Sequence, residues 1–393
     1  MKVYVVGGAV RDMLLSRKPK DVDYVVVGST PEEMVSFGFK QVGADFPVFL
    51  HPTTGDEWAL ARVERKVGVG YHGFETAFDS SVTIEDDLRR RDLTINAMAY
   101  EVSVVKQDGT IIPAPNKGLT TLIDPFGGED DLHSGILRHT SEAFSEDPLR
   151  VLRLARFAAR FDFTIAPDTI ELCKEVIKSG ELDEVSHERY WKEITRAFIE
   201  PHPMNFFHTL FLVDAVRTVS FFKKWLGDMK YSRIAMIFDS IQLIEDHEDE
   251  LSESEFVSCM LAVISAFNRN ADFADIKMQS SAINDANMLI SIGDELANGM
   301  TAVGLHKTLK FIGVWRTPVW FTNLNPLLLY ELLGEVPEMT SDLVLYSAKI
   351  AALITADVVA PGEQGPHVGI LLQAARISAC QRAMEAFLLR DDG

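Results

Sequence analysis

Two carboxylates two residues apart open the stretch KDVDYVVVG, where Asp21 and Asp23 begin a strongly apolar strand. Side chains two apart on a strand share a face. Like charges held that close repel, and near a core they are costly unless a cation bridges them; Mg²⁺ favours one or two carboxylates together with phosphate oxygens. Paired magnesium ions are the expected tenant, one lowering the pKa of an attacking hydroxyl and the other holding a triphosphate during in-line displacement. A solvated strand start would carry the same letters, so the pair needs a phosphate site beside it. The opening VYVVGGAVRDMLL offers one, with Gly7-Gly8 between a buried strand and a helix that has Arg11 in its first turn. Helix N-terminal amides carry partial positive charge, glycine lets a phosphate approach the backbone, and an arginine donates a fork of hydrogen bonds. A tight turn with a surface arginine is the plainer reading of that segment alone. Neither GxGxxG nor GK[ST] spacing is present there, which disfavours a dinucleotide-binding turn or a P-loop.

Taken together, GGAVRDMLLS and KDVDYVVVG resemble the signature of the polymerase-β-like nucleotidyltransferases, and among them the bacterial-type class II CCA-adding tRNA nucleotidyltransferases, whose pattern runs GGxVRDxLLG…DxD. Ser16 stands where a glycine is usual, in the turn after the helix. The resemblance implies that Gly8 and Arg11 contact the incoming nucleotide and that Asp21 and Asp23 are catalytic and hold Mg²⁺. Residues 85–99, EDDLRRRDLTINAMA, place Asp92 and Asn96 four apart on an expected helix whose charges could simply be solvated. RRDLTINA also matches the family's second motif, which makes Arg91 a nucleotide ligand; its guanidinium suits phosphate oxygens better than lysine would. The stretch ERKVGVGYHGF, with Gly68, Gly70 and Gly73, looks like a mobile loop, and an ordinary hairpin end is the alternative. By resemblance it serves the switch from adding C to adding A, with Glu64, Arg65 and Lys66 as its working charges. LIDPFGGEDDL resembles the third motif, with Asp124, Gly128 and Asp131 at a hinge or head-to-neck joint. The preceding EVSVVKQDGTIIPAPNKGLTTL looks expanded into a longer hairpin.

In SEDPLRVLRLARFAARF, Asp147 takes a capping position, Pro148 suits a first turn, and Arg150, Arg153, Arg156 and Arg160 follow. At about 100° per residue these arginines form a basic stripe, with Leu149, Val151 and Leu154 opposite. A solvated face is one reading. The other rests on Asp147 standing three before Arg150, a carboxylate beside a guanidinium. A carboxylate accepts from the exocyclic amino group of cytosine or adenine, and a guanidinium donates to the neighbouring ring nitrogen of either. Uracil and guanine present the opposite polarity, and a hydrogen-bonding site can reject such mismatches by factors of about 10⁴. EDPLRVLR matches the family's template motif, which implies that Asp147, Arg150 and Arg153 read the base and bind the nucleotide. HERYWKEI is the last motif, where Arg189 and Glu193, four apart, are expected as an ion pair bracing the template helix.

The elements that must position these groups change character along the chain. KVYVV, DVDYVVVG, FPVFL, EWALARV, AMAYEVSVV and GTIIPA are short β-branched runs between turn residues. From about Pro148 the periodicity becomes helical. The expected fold is α+β: a small mixed-sheet nucleotidyltransferase head over 1–140, a helical neck over 141–200 carrying the nucleobase template, and a helical body and tail over 201–393 for tRNA binding. No adjacent His-Asp pair follows residue 200; Asp246-His247 has the reverse order, and no phosphohydrolase activity is expected.

Composition sets the outer limits. An apolar share of 47% supports real cores, and no uncharged apolar run of about 18 residues or signal peptide appears, so a cytoplasmic protein without a membrane partner is expected. Cys173, Cys259 and Cys380 form no CxxC pair and read as core residues. The formal net charge is -20, an unusual value for a general nucleic-acid binder. RNA contact must then use local patches such as Arg89-Arg90-Arg91 and the series from Arg150, with strong salt sensitivity. The partners this implies are tRNA, CTP and ATP, and not DNA. A poly(A) polymerase of the same superfamily and an inactive RNA-binding relative are the alternatives; the intact DVD pair counts against the second.

Overall fold

The computed structural model describes residues 1–42, 48–66, 74–77, 81–107, 109–113 and 121–235, scattered positions from 238 to 306, and 372–382. The chain divides into two compact units, Met1–Ser220 and Phe221–Gly393. In chain order the first contains β1 (Lys2–Val6), α1 (Gly8–Leu14), β2 (Asp23–Val27), α2 (Pro31–Ser36), β3 (Lys40–Val42), β4 (Val48–Leu50), β5 (Glu57–Leu60), β6 (Val63–Lys66), β7 (Phe74–Ala77) and α3 (Ile84–Arg89). There follow β8 (Ala99–Val102), β9 (Val104–Gln107), β10 (Thr110–Pro113), β11 (Leu122–Ile123), α4 (Gly128–Ser134), β12 (Ile136–Leu137), α5 (Arg150–Phe161), β13 (Thr164–Ile165), α6 (Pro167–Lys178), α7 (His187–Phe198), α8 (Met204–Leu212) and α9 (Ala215–Thr218). The expected α+β class is the observed one.

Seven strands form one mixed sheet in the order β11-β8-β1-β2-β5-β4-β3. Its centre is the β1–β2 pair, antiparallel with Val3 opposite Val26 and Val6 opposite Asp23. Val3, Val5, Val6, Val25 and Val26 are all buried, as expected of apolar runs covered on both faces. On one side Tyr4, Val6, Val25, Leu88 and Ala99 share a core cluster. On the other, Met34, Phe39, Phe49 and Trp58 pack with Ile111. Ile111 comes from the β9–β10 hairpin, the expanded segment expected to form one. His51 secures that hairpin. Its Nδ1 accepts from the Thr53 and Thr54 amides, which leaves Nε2 to carry the proton and donate to the Ile111 carbonyl at 3.0 Å.

The neck returns to the head through short strands that a purely helical reading of this region omits. β13 pairs with β12 in parallel, and the Thr94 amide donates to the Arg138 carbonyl. Gly128 permits this packing, because a Cβ there would collide with the Thr94 carbonyl oxygen. Asp124 caps α4 by accepting from the Gly128 and Glu129 amides, and Asp131 accepts from Thr94 Oγ1 and Arg138. The third motif therefore locks α4 against the turn that follows α3.

Helix α10 (Ser220–Leu226) leads into the second unit; there Trp225 Nε1 donates to Ser265 Oγ, and Asn268 Nδ2 donates to the Lys224 and Trp225 carbonyls. Cys173 and Cys380 are buried and unpaired, while Cys259 lies outside the described residues. No helix among the described residues is long and apolar enough to cross a membrane.

Candidate active site

The register of β1 on β2 puts Asp23 beside the end of β1, where the chain turns through Gly7 into α1. Strand β2 begins at Asp23, so Asp21 sits on the bend before it rather than within it; both remain exposed. Withdrawal of the Asp23 carboxyl from bulk water raises its pKa, Arg91 opposes that rise, and Asp21 adds to it. Both Arg91 and Asp21 therefore lie within electrostatic reach of Asp23.

Gly7 adopts φ 67°, a conformation glycine enters without cost, and a Cβ there would stand 2.7 Å from Arg91 Nη1. The guanidinium thus lies directly against the turn. Its Nη2 donates to Asp87, whereas Nε is buried without a hydrogen-bond partner. Ser16 closes the turn after α1 at φ 56°, in the left-handed region, which explains why glycine suits that position.

Arg11 is buried, at 3% exposure. It donates through Nε and Nη2 to Asp12 and through Nη1 to Asn96, and stacks over Phe161 at 4.9 Å. Burial lowers its pKa, although Asp12 resists the shift. Gly8 lies against it, with a Cβ position 3.4 Å from Arg11 Nη2.

Residues 85–99 do not form one helix: α3 ends at Arg89, and Thr94–Asn96 make a separate 3-10 turn. A capping box between Thr83 and Asp86 starts α3, as its acid-rich opening suggests. Asp92 and Asn96 still meet, with Asn96 Nδ2 donating to Asp92 at 3.0 Å. The triple arginine is partly offset at its source, because Asp87, fully buried, pairs with both Arg90 and Arg91.

The arginine stripe of α5 is likewise committed. Helix α5 starts at Arg150, so Asp147 lies before it, where its carboxylate accepts from the Leu149 amide and from Arg189 Nη2 at 3.1 Å. Arg150 turns away, donating to the carbonyls of Ala143 and Arg90 at 2.6 Å each. The guanidinium found beside Asp147 is thus that of Arg189, a partner that helical spacing cannot reveal because it arrives from α7. Arg153 pairs with Asp92 at 2.7 Å. Burial alone would raise the Asp92 pKa, but Arg153 and Asn96 more than offset it and hold the group well below the usual carboxylate range. Arg156 pairs with Glu193 at 2.7 Å, so Arg189 and Glu193 each brace the neck through a partner outside α7 instead of the expected pair within it. Glu64, Arg65 and Lys66 belong to β6, paired with β7; residues 67–73, including the three glycines, lie outside the described residues.

Comparison with known proteins finds matches over the head and the neck. Residues 3–138 match the family model described as Poly A polymerase head domain, and 162–215 match that described as Probable RNA and SrmB- binding site of polymerase A. The Multifunctional CCA protein of Acinetobacter baumannii (strain SDF) is 56% identical over 213 residues, covering 53% of this chain and 48% of that protein. Over about half its length, the chain is therefore similar to proteins named for CCA addition. The Multifunctional CCA protein of Chromobacterium violaceum is similar to this chain at 53% identity over 210 residues, with the same shares covered. This chain spans about half the length of the curated relatives it matches. The solved structure of the Thermotoga maritima CCA-adding enzyme complexed with tRNA_CCA shares the fold, with TM-score 0.65 and 23% identity over 98% of this chain and 91% of that one. A CCA-adding enzyme structure in complex with ATP gives TM-score 0.64 at 23% identity, over 99% and 89% of the two chains.

Proposed function

We propose that this protein adds C, C and A to the 3′ end of tRNA from CTP and ATP, without a nucleic-acid template, releasing pyrophosphate. The observation that carries the reading is the Gly7–Gly8 turn, with Asp23 set beside it by the β1–β2 register and Arg91 lying against Gly7. The donor set fits paired divalent cations. Two neighbouring carboxylates, one with a raised pKa, are the hard oxygen ligands Mg²⁺ takes, and the unsatisfied Nε of Arg91 is a group a phosphate oxygen would satisfy. When bound, the ions would activate the 3′-hydroxyl and stabilise the leaving pyrophosphate.

Asp21 and Asp23 hold the ions in this scheme, while Gly8 and Arg91 admit and orient the triphosphate. Arg11, expected to contact the nucleotide, has its guanidinium buried and held by Asp12 and Asn96, and so acts on the turn from beneath. Asp147 accepts from the amino group of the incoming base. For Arg150 to complete the reading pair it must exchange one of its carbonyl bonds for the ring nitrogen, and Arg153 approaches the nucleotide from its pair with Asp92. The head is assigned 1–140, the template-bearing neck 141–200, and the tRNA-binding body and tail 201–393, acting in the cytoplasm.

Nucleotide omission tests the proposal. On tRNA lacking its CCA end, CTP alone should add two residues, ATP alone none, and both together CCA. A second reading, a poly(A) polymerase, draws on the two polymerase A family matches. It requires long tails from ATP on unrelated RNA and no use of CTP, and that outcome would replace the first reading.

A further inference from the structure

The four arginines of α5 do more than neutralise acids. Two of them, Arg153 and Arg160, anchor the ends of one continuous polar chain through the head. Arg153 donates to Asp92, Asp92 accepts from Asn96 Nδ2, and Asn96 Oδ1 accepts from Arg11 Nη1 at 2.5 Å. Arg11 then donates to Asp12 at 2.7 Å, and the other Asp12 oxygen lies 3.6 Å from Arg160 Nη2. The neutral amide of Asn96 bridges the carboxylate of Asp92 to the guanidinium of Arg11, Asp12 joins Arg11 to Arg160, and the helix itself closes the ring. Phe157 and Phe161 fill its inner face, with Arg11 stacked on both and Arg160 over Phe161 at 5.2 Å. Asp12, Arg11, Asn96 and Asp92 are buried. A satisfied buried network of this kind admits one arrangement and resists sliding.

The ring joins the part of the head that flanks the triphosphate site to the helix that follows the base reader. Cytosine and adenine present the same polarity at their reading edges, so polarity alone does not separate them. Size does: with the phosphates held in the head, a purine carries its reading edge farther from the ribose than a pyrimidine. The gap between head and neck therefore decides which base reaches Asp147. Resting on the function proposed above, we propose that Arg160 and Asp12 are positioning residues whose ring sets this gap, and with it the balance between C and A addition.

The test measures kcat and KM for CTP on tRNA lacking CCA and for ATP on tRNA ending in CC, in wild type, Arg160→Ala, Arg160→Lys, Asp12→Asn and the Arg160→Ala/Asp12→Asn double variant. Both single variants lacking a ring contact should shift the ratio of the two kcat/KM values by roughly tenfold, since small misplacements far from the reacting atoms cost up to about 10²-fold. The double variant should lose no more than the worse single one, as members of one network are not additive, and Arg160→Lys should restore most of the ratio. Near-UV circular dichroism and melting temperature check folding, and if Asp12→Asn unfolds, the partly exposed Arg160 carries the test. Equal losses for both nucleotides with an unmoved ratio overturn the role of the ring alone. A wild-type chain unable to incorporate CMP sinks the proposed function, and the ring's role in selection falls with it.

Discussion

At the Gly7–Gly8 turn, charged groups are left unsatisfied: Asp21 and Asp23 face solvent close enough to repel, and Arg91 keeps a buried N–H without a partner. Along α5 the opposite holds, for Arg150, Arg153, Arg156 and Arg160 all have acidic or carbonyl partners. Both regions are rich in charge, yet one is frustrated and the other satisfied. Frustration of this kind marks where a ligand's charges are missing, whereas a satisfied network marks where geometry is being held.

The contrast breaks most visibly in activity. Asp21→Ala and Asp23→Ala should each cut nucleotide incorporation by at least about 10³-fold, because metal stabilisation of transition-state charge amounts to several kcal/mol and each 1.36 is tenfold. Binding of tRNA, measured by filter retention, should change little. Retained turnover in either variant would remove the metal assignment.

In the neck the largest effect should fall on stability. Arg156 is buried against Glu193, with the partly exposed Glu200 beside it, so Arg156→Ala strands the buried acid Glu193 and should cost about 3–5 kcal/mol in urea unfolding. Pairing Arg156→Met with Glu193→Leu should recover much of that loss. An Arg156→Ala protein as stable as wild type would show the pair to be ornamental.

Asp92 gives the pH signature of the satisfied region. Its folded pKa is depressed, so its stabilisation is full above the ordinary value of about 3.9 and is lost as pH falls from there toward the lower folded value. Asp92→Asn should lower the melting temperature near neutral pH and flatten the acid limb of the stability profile below about pH 4. An unchanged acid limb would mean that Arg153 does not hold this carboxylate ionised.

How much of this was legible in the letters differs between the same two regions. Asp21, Asp23 and Gly7-Gly8 were readable because their roles depend on neighbours close in sequence, and strand pairing then had only to bring together two short apolar runs. The α5 arginines were readable as a stripe but not as a network. Their partners Asp12, Asp92 and Glu193 come from three other segments, and nothing in a 3.6-residue period says which carboxylate will arrive. The helix start was misplaced for a related reason: Asp147 bonds the Leu149 amide in a turn of its own, and its carboxylate is drawn to Arg189 on α7. The break between α3 and the 3-10 turn was hidden because Asp92 and Asn96 touch at helical spacing without sharing a helix.

The smallest effect sharpens the comparison most, since the same change of chemistry should carry opposite signs in the two regions. Asp23 has a raised folded pKa, so the folded state holds its proton more tightly than the unfolded chain does. Its ionised form therefore costs stability once pH rises through the ordinary carboxylate range, and that cost persists at neutral pH. Asp23→Asn should leave the metal-free protein at least as stable as wild type, with a melting temperature equal or slightly raised. Adding Mg²⁺ should raise the wild-type melting temperature and leave the Asn variant nearly unmoved, because only the carboxylate gains by binding. If Asp23→Asn instead lowered the melting temperature as Asp92→Asn is expected to, the turn would be another satisfied network, and the ground for placing the reaction there would be lost.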